Sequence, residues 1–374
     1  MNADLAKIIV LGLLVSLCAA CGSEEEPEPN RYFIYVANTR SNDVSVYSIN
    51  SDSGALTEIP GSPFEAGLAP WSLAVSPTGD FAYVANFGSY SIIAYTIEPE
   101  TGTLAETADS PFIIATEPSS VTIAPGGKFA FVTHLTPNFV SAYSISATGS
   151  LGQIVGSPFP AGIAPISMAI DPLGKFGYVA NETTNDVTAY VIDRATGALT
   201  EIVGSPYAAG LLSISVVVEP SGKYAYVANQ NSGDISAYSI NSVTGALTEI
   251  QGSPFLAQYL PMPITTDLTG KFVYVGTRYA NQIAAYRLDK STGALTALAG
   301  SPFATGQDPR SIALDPEGKF LYVANYDSNN ISAYEINPTT GALSEIAGSP
   351  FAGGDGPRSI SVTRSEPAPA AKLK

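Results

Sequence analysis

One carboxylate, one imidazole and several guanidiniums stand out in a chain otherwise built from near-identical copies of one segment, and they are its candidates for chemistry. The carboxylate and the guanidiniums fall at two sets of matching positions. The first set holds Trp71, Ser119, Ile166, Ile214, Met262, Arg310 and Arg358; the second holds Thr39, Phe87, Leu135, Glu182, Gln230, Arg278 and Tyr326. Elsewhere the copies agree, and here they differ. Three aromatics, three arginines and a glutamate at one place suit a small ligand or a peptide, so Trp71, Phe87, Arg278, Tyr326 and Arg358 are expected to bind one. Unconstrained loop positions would also drift in this way. His134 is either a general base at the same place or a substitute for the turn asparagine of the other copies. A chain with one His and two Cys cannot build the usual clustered His or Cys metal site. Loops such as Asp327-Ser-Asn-Asn330 lack the spacing of a calcium loop, and no metal or cofactor is expected.

The elements that must position these residues follow from the repeat. Tyr-Val-Ala-Asn begins at Tyr35, Tyr83, Tyr178, Tyr226 and Tyr322, with altered copies at Phe131 and Tyr274. The starts are about 48 residues apart. Ser-Pro-Phe or Ser-Pro-Tyr keeps step at Ser62, Ser110, Ser157, Ser205, Ser253, Ser301 and Ser349. Each copy reads as four short runs of alternating or β-branched apolar residues separated by turn chemistry. A Pro-x-Gly-type turn joins the first two runs. A Thr-Gly pair joins the third to the fourth, with glycine supplying the positive φ that a tight hairpin needs.

Four strands per copy and seven copies predict an all-β, seven-bladed β-propeller of four-stranded antiparallel blades over residues 31–364. The chain enters in a second strand and its last copy ends in a first strand, at residues 359–363. The first blade is therefore expected to close on a C-terminal strand, which removes an open edge. Proline in the outer run should block pairing between sheets. The start of the first strand and the end of the second meet at one end of a blade, so both variable sets lie at one mouth of the ring. The turn lysines Lys128, Lys175, Lys223, Lys271 and Lys319 fall at the other and are read as solvated.

The net charge of −16 disfavours nucleic acid as a partner, because phosphates would be repelled over the whole surface. Residues 1–20, with the apolar run 8–17 ending in Cys18-Ala-Ala-Cys21, read as a lipoprotein signal peptide. Cys21 would then carry the lipid and be the only membrane contact. Residues 21–30 read as an acidic tether and 365–374 as a disordered tail. This predicts a cell-envelope location, at the outer membrane if the host is Gram-negative.

The marker, together with Ser-Asn-x-Ile-Ser-Ala-Tyr, Thr-Gly-Ala-Leu and Pro-x-Gly-Lys-Phe, resembles the YVTN-repeat and lactonase-like seven-bladed propellers. That group includes propeller-type 6-phosphogluconolactonases and muconate-lactonising enzymes, and the resemblance spans all seven copies. It implies a lactone-opening site. Where the enzymes carry Gly-Pro-Arg-His before a first strand and Val-Asn-Glu after the second, this chain has Ala164-Pro-Ile166-Ser167 and Ala180-Asn-Glu182. Ser72 and Ser120 stand where other family blades supply histidine, and Arg310 matches an arginine of a late blade. The resemblance thus implies Glu182 as base with Arg310 as its cation, and Arg278 or His134 is a further catalytic candidate from the residues themselves. Because the family histidines are replaced, the leading expectation is a lipid-anchored binding or scaffold module for an unknown small molecule or protein at the mouth. A lactonase-like hydrolase using Glu182 and a cell-surface structural protein are the alternatives.

Overall fold

The computed structural model describes residues 31–114 and 116–365; the predicted signal peptide, Cys21, the tether and residues 366–374 lie outside them. All regular elements among the described residues are strands, arranged as seven antiparallel sheets in sequence order. The fourth blade represents the others. Pro165–Ile170 lies innermost, followed by Phe176–Asn181 and Asp186–Ile192. The outer position is split into Leu199–Glu201 and Tyr207–Ala208, both paired with the third strand. Between the two pieces the Ser-Pro serine replaces a ladder partner: Ser205 Oγ accepts from Ala189 N at 3.0 Å, and all seven blades repeat this bond. The motif therefore completes the third strand's hydrogen bonding as well as interrupting the edge.

Period-two side-chain alternation explains why no blade stands alone. In the second strand of the first blade, Phe33, Tyr35 and Ala37 pack with Leu73, Val84 and Tyr95 of the second blade. Their neighbours Tyr32, Ile34 and Val36 face Tyr322, Ala324 and Ile331 of the seventh. Each core thus forms between blades, which is why one copy cannot bury its own apolar face. Two sequence markers prove to be a single contact. The hydroxyl of Tyr35 donates to Gly102 O of the next hairpin at 3.1 Å, and Tyr322 reaches Gly54 O across the point of closure at 2.9 Å. Gly102 has φ +74°, and a Cβ on it would lie 2.4 Å from the Phe33 ring, so the turn needs glycine twice over.

Closure follows the predicted scheme. Pro357–Ser365 pairs antiparallel with Arg31–Asn38, with Tyr35 opposite Ser361, and supplies the innermost strand of the first blade. The inner strands then face a common channel, whose mouth gathers the variable positions.

Candidate functional site

The channel mouth encloses a cavity of about 200 Å³ lined by Trp71, Arg310, Arg358, Ile166, Ile214 and Met262 above a ring of serines. Its aromatic side is a stack. Trp71 and Phe87 lie with ring centroids 4.0 Å apart and planes 11° from parallel, and the Arg358 guanidinium lies 3.9 Å from the Trp71 ring centre. Cation–π attraction is strongest on indole and holds Arg358 flat against the wall.

The charged side is built on Asp308. Arg278 Nε donates to its Oδ1 at 2.6 Å, while Arg310 donates to Oδ2 through Nε at 2.9 Å and Nη2 at 2.8 Å. Asp308 has φ +55°, which lets the chain turn just ahead of Pro309 and aim the carboxylate between the two arginines. Tyr326 packs between Arg310 and Arg40, at 4.9 and 4.2 Å, so it supports the cluster. Arg358 has no ion-pair partner among the described residues. Burial, and then repulsion from Arg310 and Arg278, pushes it down to about 9, so it remains charged at neutral pH. Three guanidiniums thus face two carboxylates, Asp308 and Glu182, and leave a local excess of positive charge in a strongly acidic chain.

Glu182 follows the second strand of the fourth blade, its N–H fixed to Ala164 O at 2.9 Å. Partial burial raises its pKa, and the charge of Arg358 pulls it partly back. Glu182 and Arg358 therefore share one electrostatic environment although they arise from blades one and four. On the fifth blade Gln230 is 8 % exposed and its Nε2 has no hydrogen-bond partner among the described residues.

Two of the serines at the family's histidine positions, Ser72 and Ser167, tie blades together, as Ser359 does, whereas Ser120 Oγ pairs with Thr133 Oγ1 of its own blade at 2.9 Å. Leu73 N donates to Ser359 Oγ at 3.0 Å, Val121 N to Ser72 Oγ at 3.1 Å and Val216 N to Ser167 Oγ at 3.4 Å. Each bond runs from one inner strand to its neighbour.

Of the sequence-predicted residues, the structure brings together Trp71, Phe87, Arg278, Arg310, Tyr326 and Arg358 around the mouth, with Glu182 at its rim. It does not bring His134 there. That imidazole is 1 % exposed, lies 4.5 Å from the Phe139 ring and faces a separate cavity on the outer part of the third blade. It occupies the marker asparagine's place, and that side chain points away from the channel. Sequence reasoning missed Asp308 as a site residue. The signal was a carboxylate two positions before Arg310, where most copies carry Ala, Leu or Gly.

Burial pushes His134 down to about 4, whereas an unfolded histidine titrates near 6.5. The unfolded chain therefore binds more protons between these values, and stability present above pH 6.5 is lost as pH falls towards 4. The expected loss is about 2 kcal/mol between roughly pH 7 and 5. Urea unfolding at both pH values should show this loss in wild type and not in His134→Asn; equal losses in both proteins would contradict the assignment.

The family model for the seven-bladed β-propeller lactonases matches residues 26–216 and 216–356. None of the curated proteins matches the sequence. Among solved structures, a candidate 6-phosphogluconolactonase from Bacteroides uniformis is 20 % identical with TM-score 0.78, over 89 % of this chain and 99 % of its own. The periplasmic gluconolactonase of Pseudomonas aeruginosa is 18 % identical with TM-score 0.75, covering 90 % and 100 %. Hydrazine synthase of Kuenenia stuttgartiensis is 21 % identical with TM-score 0.61, covering 80 % and 94 %. These likenesses concern the fold alone. The family match overturns the expectation of a lipid-anchored binding or scaffold module and favours the hydrolase alternative. That expectation leaned on the missing histidines, yet two serines in their place join neighbouring blades, while a carboxylate and a cation with no ion-pair partner among the described residues remain at the mouth.

Proposed function

The chain belongs to the seven-bladed β-propeller lactonases, and on that premise we propose that it hydrolyses a sugar or related lactone at the channel mouth. The observation that carries this reading is that Arg358 lines the cavity at the mouth with no ion-pair partner among the described residues, while its charge acts on the half-buried carboxyl of Glu182. Lactone opening needs a base to deprotonate water and a cation where the carbonyl oxygen becomes an oxyanion. Glu182 takes a proton from water as the water oxygen bonds to the carbonyl carbon, and the carbonyl electron pair moves onto oxygen beside Arg358. Collapse breaks the ring C–O bond, and the leaving alkoxide takes the proton back from Glu182. The product is a hydroxy acid that ionises to its carboxylate. The Trp71–Phe87 stack holds Arg358 in place beside the cavity, and Arg278, Asp308 and Arg310 offer polar contacts to the hydroxyls of a sugar ring. His134 has no part in this scheme.

The export signal and lipidation at Cys21 remain part of the proposal. They favour a lactone met in the cell envelope over one made and consumed in the cytoplasm.

Titrating the purified protein against a panel of γ- and δ-lactones tests the reading. At least one should open faster than it does spontaneously, and Arg358→Gln should lower kcat by about 10²–10³-fold with a smaller change in KM, because the oxyanion exists only beyond the ground state. A panel with no turnover above background would refute the proposal.

A further inference from the structure

The cavity beside His134 lies far from the mouth and has a pattern of its own. In five copies the marker asparagine is fully buried, and a linker glycine nineteen positions before it in sequence (across the closure for the first blade) lies against it. A Cβ on Gly67, Gly162, Gly210 or Gly306 would come within 2.6 Å of that asparagine, and on Gly354 within 2.2 Å. The third and sixth copies lose both partners at once, with Ala115 and His134 in one, Gln258 and Thr277 in the other. A cavity opens at both places, of about 550 Å³ in the third blade and 210 Å³ in the sixth.

Only the larger one has an unmet polar demand. Thr277 Oγ1 donates to Gln282 O at 3.1 Å, so the sixth copy is satisfied. His134 Nδ1 lies 2.7 Å from Thr116 Oγ1, with the Thr116 backbone as a further partner, whereas the buried Nε2 has none among the described residues. A neutral imidazole whose Nδ1 holds the proton presents Nε2 as an acceptor. The surroundings are apolar, chiefly Phe112, Ile113, Phe139, Tyr143 and Leu151. In the six other blades the tyrosine matching Tyr143 bonds to a carbonyl of the preceding outer strand, as Tyr47 does to Ala352 O at 3.0 Å and Tyr286 to Leu256 O at 2.8 Å. Tyr143 makes no such bond among the described residues, and the cleft between blades two and three is not tied shut there.

We propose that this cleft is a second binding site, for a small aromatic alcohol whose ring lies among Phe112, Phe139 and Leu151 and whose hydroxyl donates to His134 Nε2. The volume falls in the range of small-molecule pockets, and a buried acceptor in a mostly apolar lining that also carries Ser141 and Gln153 selects a ligand with a donor placed to reach it. A buried acceptor also rejects a ligand that lacks the donor, because it would stay unpaired.

The single histidine makes the test direct. In ¹⁵N-labelled protein titrated with 2-naphthol, the sole imidazole Nε2 resonance should move saturably. Naphthalene should bind about tenfold more weakly, the equivalent of one lost hydrogen bond. Replacing the imidazole in His134→Asn, which restores the residue of the other blades, should weaken 2-naphthol by a similar factor. An Nε2 resonance unmoved up to the solubility limit of 2-naphthol would overturn the proposal. So would equal binding of naphthalene, which would mean that the cleft takes rings and water alone satisfies the imidazole. The wild-type titration decides the matter even if the variant folds poorly.

Discussion

Glu182→Gln is expected to reduce lactone turnover by about 10²–10⁴-fold, the usual contribution of a positioned general base, while leaving the propeller folded. The amide has the shape of the carboxylate and cannot accept the water proton. No side-chain hydrogen bond from Glu182 is present among the described residues, and its backbone N–H to Ala164 O is untouched by the change, so little structure is at stake. The pH dependence gives a second reading of the same group. Since burial raises the Glu182 pKa more than Arg358 lowers it, the wild-type rate should climb with pH around a midpoint above that of an ordinary glutamate. The residual rate of Glu182→Gln should lack that step. Initial rates across roughly pH 4 to 8, corrected for spontaneous hydrolysis, measure both effects. A Gln variant within about threefold of wild type would remove Glu182 from the mechanism.

The second large effect concerns closure. A chain ending at residue 356 should lose cooperative unfolding, or unfold at far lower urea, because it lacks the innermost strand of the first blade. Eight positions of Arg31–Asn38 would lose their register partners. Ile360, 6 % exposed and part of the core shared by blades one and seven, would go with the strand. So would the bonds Leu73 N to Ser359 Oγ and Ile360 N to Ser311 Oγ, which join the first blade to the second and seventh. Burial and ladder terms of this size add to several kcal/mol, against a total of about 5–15 kcal/mol for a typical domain. A peptide of residues 357–365 added in trans should restore part of the lost stability. An unchanged urea midpoint for the truncated chain would mean that the strand is decoration.

The fold was legible because its rules are local or act between neighbouring copies. Tyr35, Gly102 and Ser62 recur at fixed spacing since each serves one contact per blade, and the phase of the two chain ends located the closing strand. The mouth was legible as a set of positions, from the antiparallel pairing of first and second strands. Its wiring was not. Nothing in the spacing of Arg278 and Arg310 announces that Asp308 bridges them, since the bond depends on a positive φ and on the angle between two blades. His134 was placed by its column in the repeat, and that column faces outward from the channel. The loss of family histidines read as a loss of activity; the structure gives two of the substituted serines, Ser72 and Ser167, a stitching role instead.

Sequence alone therefore determined the strands, the turns, the count of blades and the latch, because period-two burial, glycine at positive φ and nearest-neighbour packing are written in each copy. Tertiary structure decided which variable residues meet. Arg358 lies over Trp71 from near the opposite end of the chain, and it shares a field with Glu182 from the far side of the ring. The 3.9 Å approach of Arg358 to Trp71 and the field it casts on Glu182 depend on how the blades twist, tilt and close into one ring, which no single copy encodes.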